Sequence, residues 1–116
     1  MSYQTSKGVH ANTEPVYLNP TVGTSITADA VSEILELGDR ACLRLRQNVT
    51  ANAATSLATT IEGSEDRVNW FTLGTFATVT TPAAESKSFP GARFVRASFN
   101  HTGAGAIAVA LSGEAV

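Results

Sequence analysis

The sequence predicts an all-β fold: a single β-sandwich or jelly roll of about seven or eight antiparallel strands, preceded by an extended N-terminal arm. Three observations carry that prediction. Apolar and polar residues alternate with period 2 from Thr21 to the C-terminus. Gly, Pro and Asn turns break the alternation at intervals of roughly ten residues, the spacing of short strands in sandwiches. The 116-residue length suits one domain.

Residues 1–20 carry no clear period and read as the arm, with one short apolar piece at Val16 to Leu18 that could serve as an edge strand. Residues 21–116 form the sandwich domain. Ser25 to Val31 reads as a strand with Ile26, Ala28 and Ala30 on one side. Val31 to Leu37 fits either a short helical turn capped by Ser32 or a strand, and Gly38-Asp39 ends it.

Arg40 to Thr50 alternates most clearly. Ala41, Leu43, Leu45 and Val49 share one face, and Cys42, Arg44, Arg46, Asn48 and Thr50 the other. A helix would scatter Arg and Leu around its circumference, so this is a strand. Leu57, Thr59 and Ile61 alternate with Ala58, Thr60 and Glu62 as far as Gly63. A polar turn follows at Gly63 to Arg67, and then Val68 to Leu73 with Trp70 and Phe71. Thr75 to Thr81, rich in β-branched residues, reads as a strand ended by Pro82, and Ser86 to Phe89 as a shorter one. In Arg93 to Asn100, Val95, Ala97 and Phe99 oppose Phe94, Arg96 and Ser98. After the turn at Thr102 to Gly105, Ile107, Val109 and Leu111 oppose Ala106, Ala108 and Ala110.

Bulk properties narrow the function. The net charge is −2, with six Arg and two Lys spread among ten acids and no basic tract, so no nucleic-acid partner is expected. No apolar run approaches 18 residues, so no membrane partner is expected. Met1 to Pro20 lacks the apolar stretch of a signal peptide, which points to synthesis in a cytoplasm. Cys42 is the only cysteine, so no internal disulfide forms. With His10 and His101 far away it makes no recognisable metal site, and no cofactor is expected. Glu65 and Asp66 are too few to enclose calcium. No nucleophile–base pair stands near a strand–turn–helix elbow, so the chain is not expected to be an enzyme.

Charged residues make up 16% of the chain against about 25% in ordinary domains. Two compatible readings explain this: Thr and Ser on the polar faces of sheets, or a surface partly covered by other subunits. Trp70, flanked by Phe71 and Leu73, reads as a core anchor, with a sugar-stacking platform as the alternative. Arg93 and Arg96 project to opposite faces of one strand, each a partner for a carboxylate such as Glu62 or Asp66. Ala106, Ala108 and Ala110 set three methyls in a row, which fits either a strand buried on both faces or an intersubunit contact. The partner-binding residues expected are Tyr3, His10 and Tyr17 near the N-terminus, the strand arginines Arg44, Arg46 and Arg96, and Ala106, Ala108 and Ala110.

The runs Ile61 to Trp70, Leu73 to Phe76 and Phe89 to Ala97 resemble two groups. One is the small β-sandwich virion accessory proteins of tailed phages, of the capsid decoration or cement type. The other is the discoidin-like jelly rolls, with their Ser-x-Asp-Gly-x-x-Trp turn and Arg-Tyr-Val-Arg strand. Arg67 stands where that turn prefers Gly. The phage resemblance implies a non-enzymatic virion structural protein that binds the outer capsid surface. Its partner would be the major capsid protein or a neighbouring virion protein, and the protein would be a homo-oligomer, a trimer or dimer, located in the virion. A carbohydrate-binding module, or a tail or head–tail accessory protein, is the alternative. In such a product the Asn48-Val49-Thr50 and Asn100-His101-Thr102 sequons carry no glycan.

Overall fold

Residues 13–116 are described by the computed structural model. Ten strands occur among them, and four of these, each nine to eleven residues long, make the frame. β5 (Cys42–Asn52) and β10 (Ile107–Ala115) pair antiparallel over nearly their whole length, and so do β6 (Ser56–Ser64) and β9 (Phe94–Thr102). Each alternates buried with more exposed positions, and the buried ones are apolar apart from Gln47 in β5 and Thr59 and Ser64 in β6. Leu43, Leu45, Val49, Ile107, Val109 and Leu111 therefore face inward from one sheet, and Leu57, Ile61, Val95, Ala97 and Phe99 from the other, all buried. Two half-apolar sheets can remove these faces from water only by packing on each other.

The remaining strands extend the two sheets. β8 (Ala83–Pro90) pairs with β5, and β7 (Phe71–Thr75) with β6. On the far side, β1 (Glu14–Tyr17) and β2 (Ser25–Ile26) both lie along β10, while β3 (Ala30–Val31) and β4 (Leu35–Glu36) both lie along β9. Counting each broken pair as one position gives eight strands in two four-membered layers. The first sheet runs β1/β2, β10, β5, β8 and the second β3/β4, β9, β6, β7. The chain is thus a long hairpin rolled up on itself, first position against eighth, second against seventh, third against sixth and fourth against fifth. That is jelly-roll topology, as the alternation predicts.

The broken strands depart from the expected continuous runs for a local reason. Side chains replace main-chain partners there: Asn19 Oδ1 accepts from Leu111 N, Asp29 Oδ1 from His101 N, and Ser32 Oγ from Ala97 N. The chain crosses between sheets from residue 27 to 29, so Ala28 is exposed and does not join Ile26 and Ala30 on one face. The helical option for 31–37 is not adopted. Val16 and Leu18 are fully buried, so 14–20 belong to the body and not to the arm. The rest of the expected arm lies outside the described residues.

Two other segments differ from expectation. Residues 76–82 are a connection between the sheets and not a strand; their β-branched residues make one isolated bridge, Val79 to Leu57. β8 is longer than expected because it begins at Ala83, directly after Pro82. As an open sheet edge it is protected by charged residues at inward-pointing positions. Glu85 Oε1 accepts from Ala77 N at 2.9 Å, and Lys87 Nζ donates to the Thr75 carbonyl at 2.6 Å.

Two glycines permit close backbone approach. A Cβ on Gly113 would fall on the Arg44 carbonyl of the paired strand, and one on Gly91 on the Arg40 carbonyl. Neither obstacle is a side chain that could swing away. Gly113→Ala is therefore expected to lower unfolding stability by about 1–3 kcal/mol, the usual range for overpacking. Chemical denaturation checks this, and an unchanged midpoint would contradict the tight β5–β10 approach.

Candidate functional site

Strand parity sorts the expected partner-binding residues. On the outer face of the first sheet, registers align Tyr17, Ser112, Arg46 and Ser86 in one transverse row, with Pro15, Glu114, Arg44 and Ser88 in another. Ala110, Asn48 and Ala84 form a further row on the same face. The fold thus gathers Tyr17, Arg44, Arg46, Ala108 and Ala110 from β1, β5 and β10 onto one surface. Tyr17 is 68% exposed. Arg44 reaches Glu114 at 3.5 Å, while Arg46 has no ion pair among the described residues. A shallow groove of about 550 Å³ runs between these rows, lined by Arg44, Arg46, Ser86, Lys87, Ser88 and Glu114.

The alanines divide. Ala110 is exposed and Ala108 half-buried, so the option of a strand buried on both faces does not apply. Ala106 precedes β10 and belongs to the turn, where its carbonyl accepts from Ala53 N. Tyr3 and His10 lie outside the described residues.

Arg96 sits on the other sheet. Its Nε donates to Glu62 Oε1 at 2.7 Å across the β6–β9 pair, and its guanidinium lies 4.1 Å from the Trp70 ring centre. The pairing with Glu62 is as expected. Trp70 is not: it stays half-buried on the outside and is absent from the core. The core is filled instead by residues such as Phe99, Phe89 and Phe76, the last two meeting edge to face at 5.2 Å. The stretch 65–70 is the β6–β7 loop, and Trp70 just precedes β7. Its flat ring covers Arg96, a favourable use of an indole at a wet surface. Arg93 pairs with Glu36 at 3.9 Å, not with Glu62 or Asp66.

The 64–70 turn is held by its own polar side chains. Asp66 Oδ1 accepts from Asn69 N, Val68 N and Ser64 Oγ, and Oδ2 accepts from Asn69 Nδ2. The Asn69 and Val68 amides, then the side chains of Asn69 and Ser64, hold the Asp66 carboxyl far below the usual carboxylate range. Ser64 Oγ in turn accepts from Asp66 N and Arg67 N. Glu65 is engaged separately, accepting from Arg93 N. These two carboxylates organise backbone, and no group of three or more metal-ligating side chains occurs among the described residues.

Arg67 is the only non-glycine described residue in the left-handed region, at φ 66°. Glycine adopts that region without a steric penalty, and arginine does not. Here the strain is retained and the guanidinium is laid over Phe94, 5.3 Å from the ring centre.

Gln47 went unseen in the sequence although its parity places it with Leu43, Leu45 and Val49. It points inward, is 1% exposed, and its Oε1 has no hydrogen-bond partner among the described residues. The signal was the alternation itself, which assigns position 47 inward whatever residue stands there.

No protein-family model matches the chain, and no curated protein does. Among solved structures it is similar to one described as "CBM4 structure and function", at 12% identity and a TM-score of 0.48. The match covers 76% of this chain and 58% of that one, so this chain spans less than two thirds of its neighbour's length.

The geometry of the turn yields a test. Arg67→Ala loses the stacking on Phe94 and keeps the backbone strain, whereas Arg67→Gly loses the same stacking and relieves the strain. The glycine variant is expected to be the more stable of the two by about 1 kcal/mol. Equal midpoints in thermal unfolding would show that the left-handed conformation costs nothing here.

Proposed function

We propose that this jelly roll is a non-enzymatic virion structural protein of the capsid decoration kind. It docks onto the major capsid protein through the outer face of its first sheet. The observation that carries the reading is that face, in a chain with only 16% charged residues: it bears an exposed tyrosine, small alanine and serine side chains, and Arg46, which has no ion pair among the described residues. Tyr and Arg are enriched where proteins meet, and charge is depleted at the centre of such contacts. The resemblance of the runs Ile61 to Trp70, Leu73 to Phe76 and Phe89 to Ala97 to phage virion proteins points the same way.

The size of the face bears on how docking would work. Four strands at about 4.8 Å spacing, each about nine residues at roughly 3.3 Å, give a footprint of roughly 20 by 30 Å. That falls at or below the roughly 800 Å² per partner of a standard interface. A single copy therefore binds weakly, and a homo-oligomer engaging several capsid sites at once would supply the strength through avidity. Adding the purified protein to capsids that lack it is expected to give saturable binding and raised heat resistance. Arg46→Glu combined with Ala110→Arg should weaken binding about tenfold or more, as loss of a hot spot does. Absence of saturation, or binding indifferent to both substitutions, overturns the reading.

A second reading, carbohydrate binding, is favoured by one observation: Trp70 lies on the surface and not in the core. Because Trp70 contributes nothing to the core cluster, Trp70→Ala should keep the fold. If glycans are the ligand, glycan-array binding by the intact protein disappears in that variant. An array without signal for the intact protein removes the second reading.

A further inference from the structure

A buried side-chain amide oxygen with no partner among the described residues, set beside a cleft at the open side of the sandwich, points to a second binding site. The cleft, about 330 Å³, lies between the 76–82 connection and β8. Gln47 lines it from β5, with Thr78, Thr80 and Thr81 from the connection and Glu85 from β8; Val79, Ala77, Ala83 and Ala84 supply its apolar walls. It adjoins the groove of the docking face without sharing a lining residue, and it does not rest on the docking proposal.

The hydrogen-bond inventory sets the ligand chemistry. Gln47 Oε1 is an acceptor removed from water with no donor among the described residues, an arrangement that costs stability unless something else satisfies it. Glu85 uses Oε1 on the Ala77 amide, and its Oε2 makes no bond among the described residues. The threonine hydroxyls can accept as well as donate. No Lys, Arg or His lines the cleft, so Glu85 is its sole charge. A lining rich in acceptors and carrying one negative charge complements a group that only donates and is positive. A planar guanidinium fits best, since it offers five donors and no acceptor. We propose that the cleft receives an arginine-type guanidinium, with one edge toward the Gln47 carbonyl oxygen and the other toward Glu85.

The test follows backbone and side-chain amide NMR signals of the full chain during titration with N-acetyl-arginine amide. Saturable shifts confined to Gln47 and residues 77–85 are expected, with a dissociation constant on the order of 1 mM for so small a probe. N-acetyl-citrulline amide, the neutral isostere, should bind about tenfold more weakly, because a charge-assisted bond is lost. Glu85→Gln retains an acceptor for the Ala77 amide and should weaken the arginine probe by a similar factor. Gln47→Leu should do so too while raising stability, since it removes a buried unpaired polar group. If Gln47→Leu disturbs the fold, the Glu85→Gln arm decides alone. Free L-arginine separates the two sources of a guanidinium. Weaker binding than the blocked probe assigns the site to a partner's side chain, and equal or tighter binding to a small metabolite. Equal affinity for citrulline and arginine probes, affinity unchanged by Glu85→Gln, or no saturable shift overturns the proposal.

Discussion

The two central strand pairs, β5 with β10 and β6 with β9, hold everything else in place. Between their inner faces the aliphatic side chains of one sheet meet the aliphatic and aromatic side chains of the other, away from water. Burial at about 25 cal/mol per Å² of apolar surface makes this the dominant favourable contribution to folding. It also imposes a discrete constraint. A one-residue slip of any central strand would turn its entire apolar set outward. Once the core is satisfied, the position of every outward residue is therefore decided, including rows drawn from segments nearly a hundred residues apart, such as Tyr17 with Ser112 and Arg46.

This constraint explains which parts of the fold were legible in the sequence. β5, β6, β9 and β10 are half-buried, so their alternation is written directly in Leu, Ile, Val and Phe. The stretch from Thr21 to Leu37 was harder to read because its pairing is shared between two sheets. Side chains of Asn19, Asp29 and Ser32 take over bonds that backbone makes elsewhere, which lets strands of only two residues persist. Residues 76–82 mislead in the opposite direction. Their threonines suit a strand, yet the segment must bridge two sheets after β7, and bridging prevails over propensity. For the site, alternation was enough to place Arg44, Arg46, Ala108 and Ala110 on an outer face. It could not place Tyr17 beside them, because that juxtaposition depends on which strands pair. Trp70 was misread because its apolar neighbours suggested a core, whereas Phe71 is itself half-exposed at the start of an edge strand.

The low charge content also takes on a structural meaning. On the second sheet the ionised groups are mutually engaged: Arg96 with Glu62 and Trp70, Arg93 with Glu36 and Phe94, Arg67 with Phe94. The exposed Arg93–Glu36 pair adds little stability by itself, while the Arg96–Glu62 pair is partly buried. Their consequence is to leave few donors free on that side. The two sheets have similar strand counts and similar inner faces, so the difference between their outer faces does not come from the demands of the core.

Under the proposed docking, that asymmetry favours the outer face of the first sheet. A face whose arginines are already stacked and paired must give up those contacts before it can engage a new surface. The first sheet gives up less: of its arginines Arg44 is paired with Glu114, but Arg46 has no ion pair among the described residues. Ser86, Ser112 and Ala110 nearby are short side chains with little rotamer entropy to lose. Its edge residues Glu85 and Lys87 turn inward to tie the open side, which blocks strand-by-strand growth at β8 while leaving the broad face unobstructed. Under the proposed docking, association avoids the sheet edge, where addition has no natural limit, and uses the broad face, where it can close.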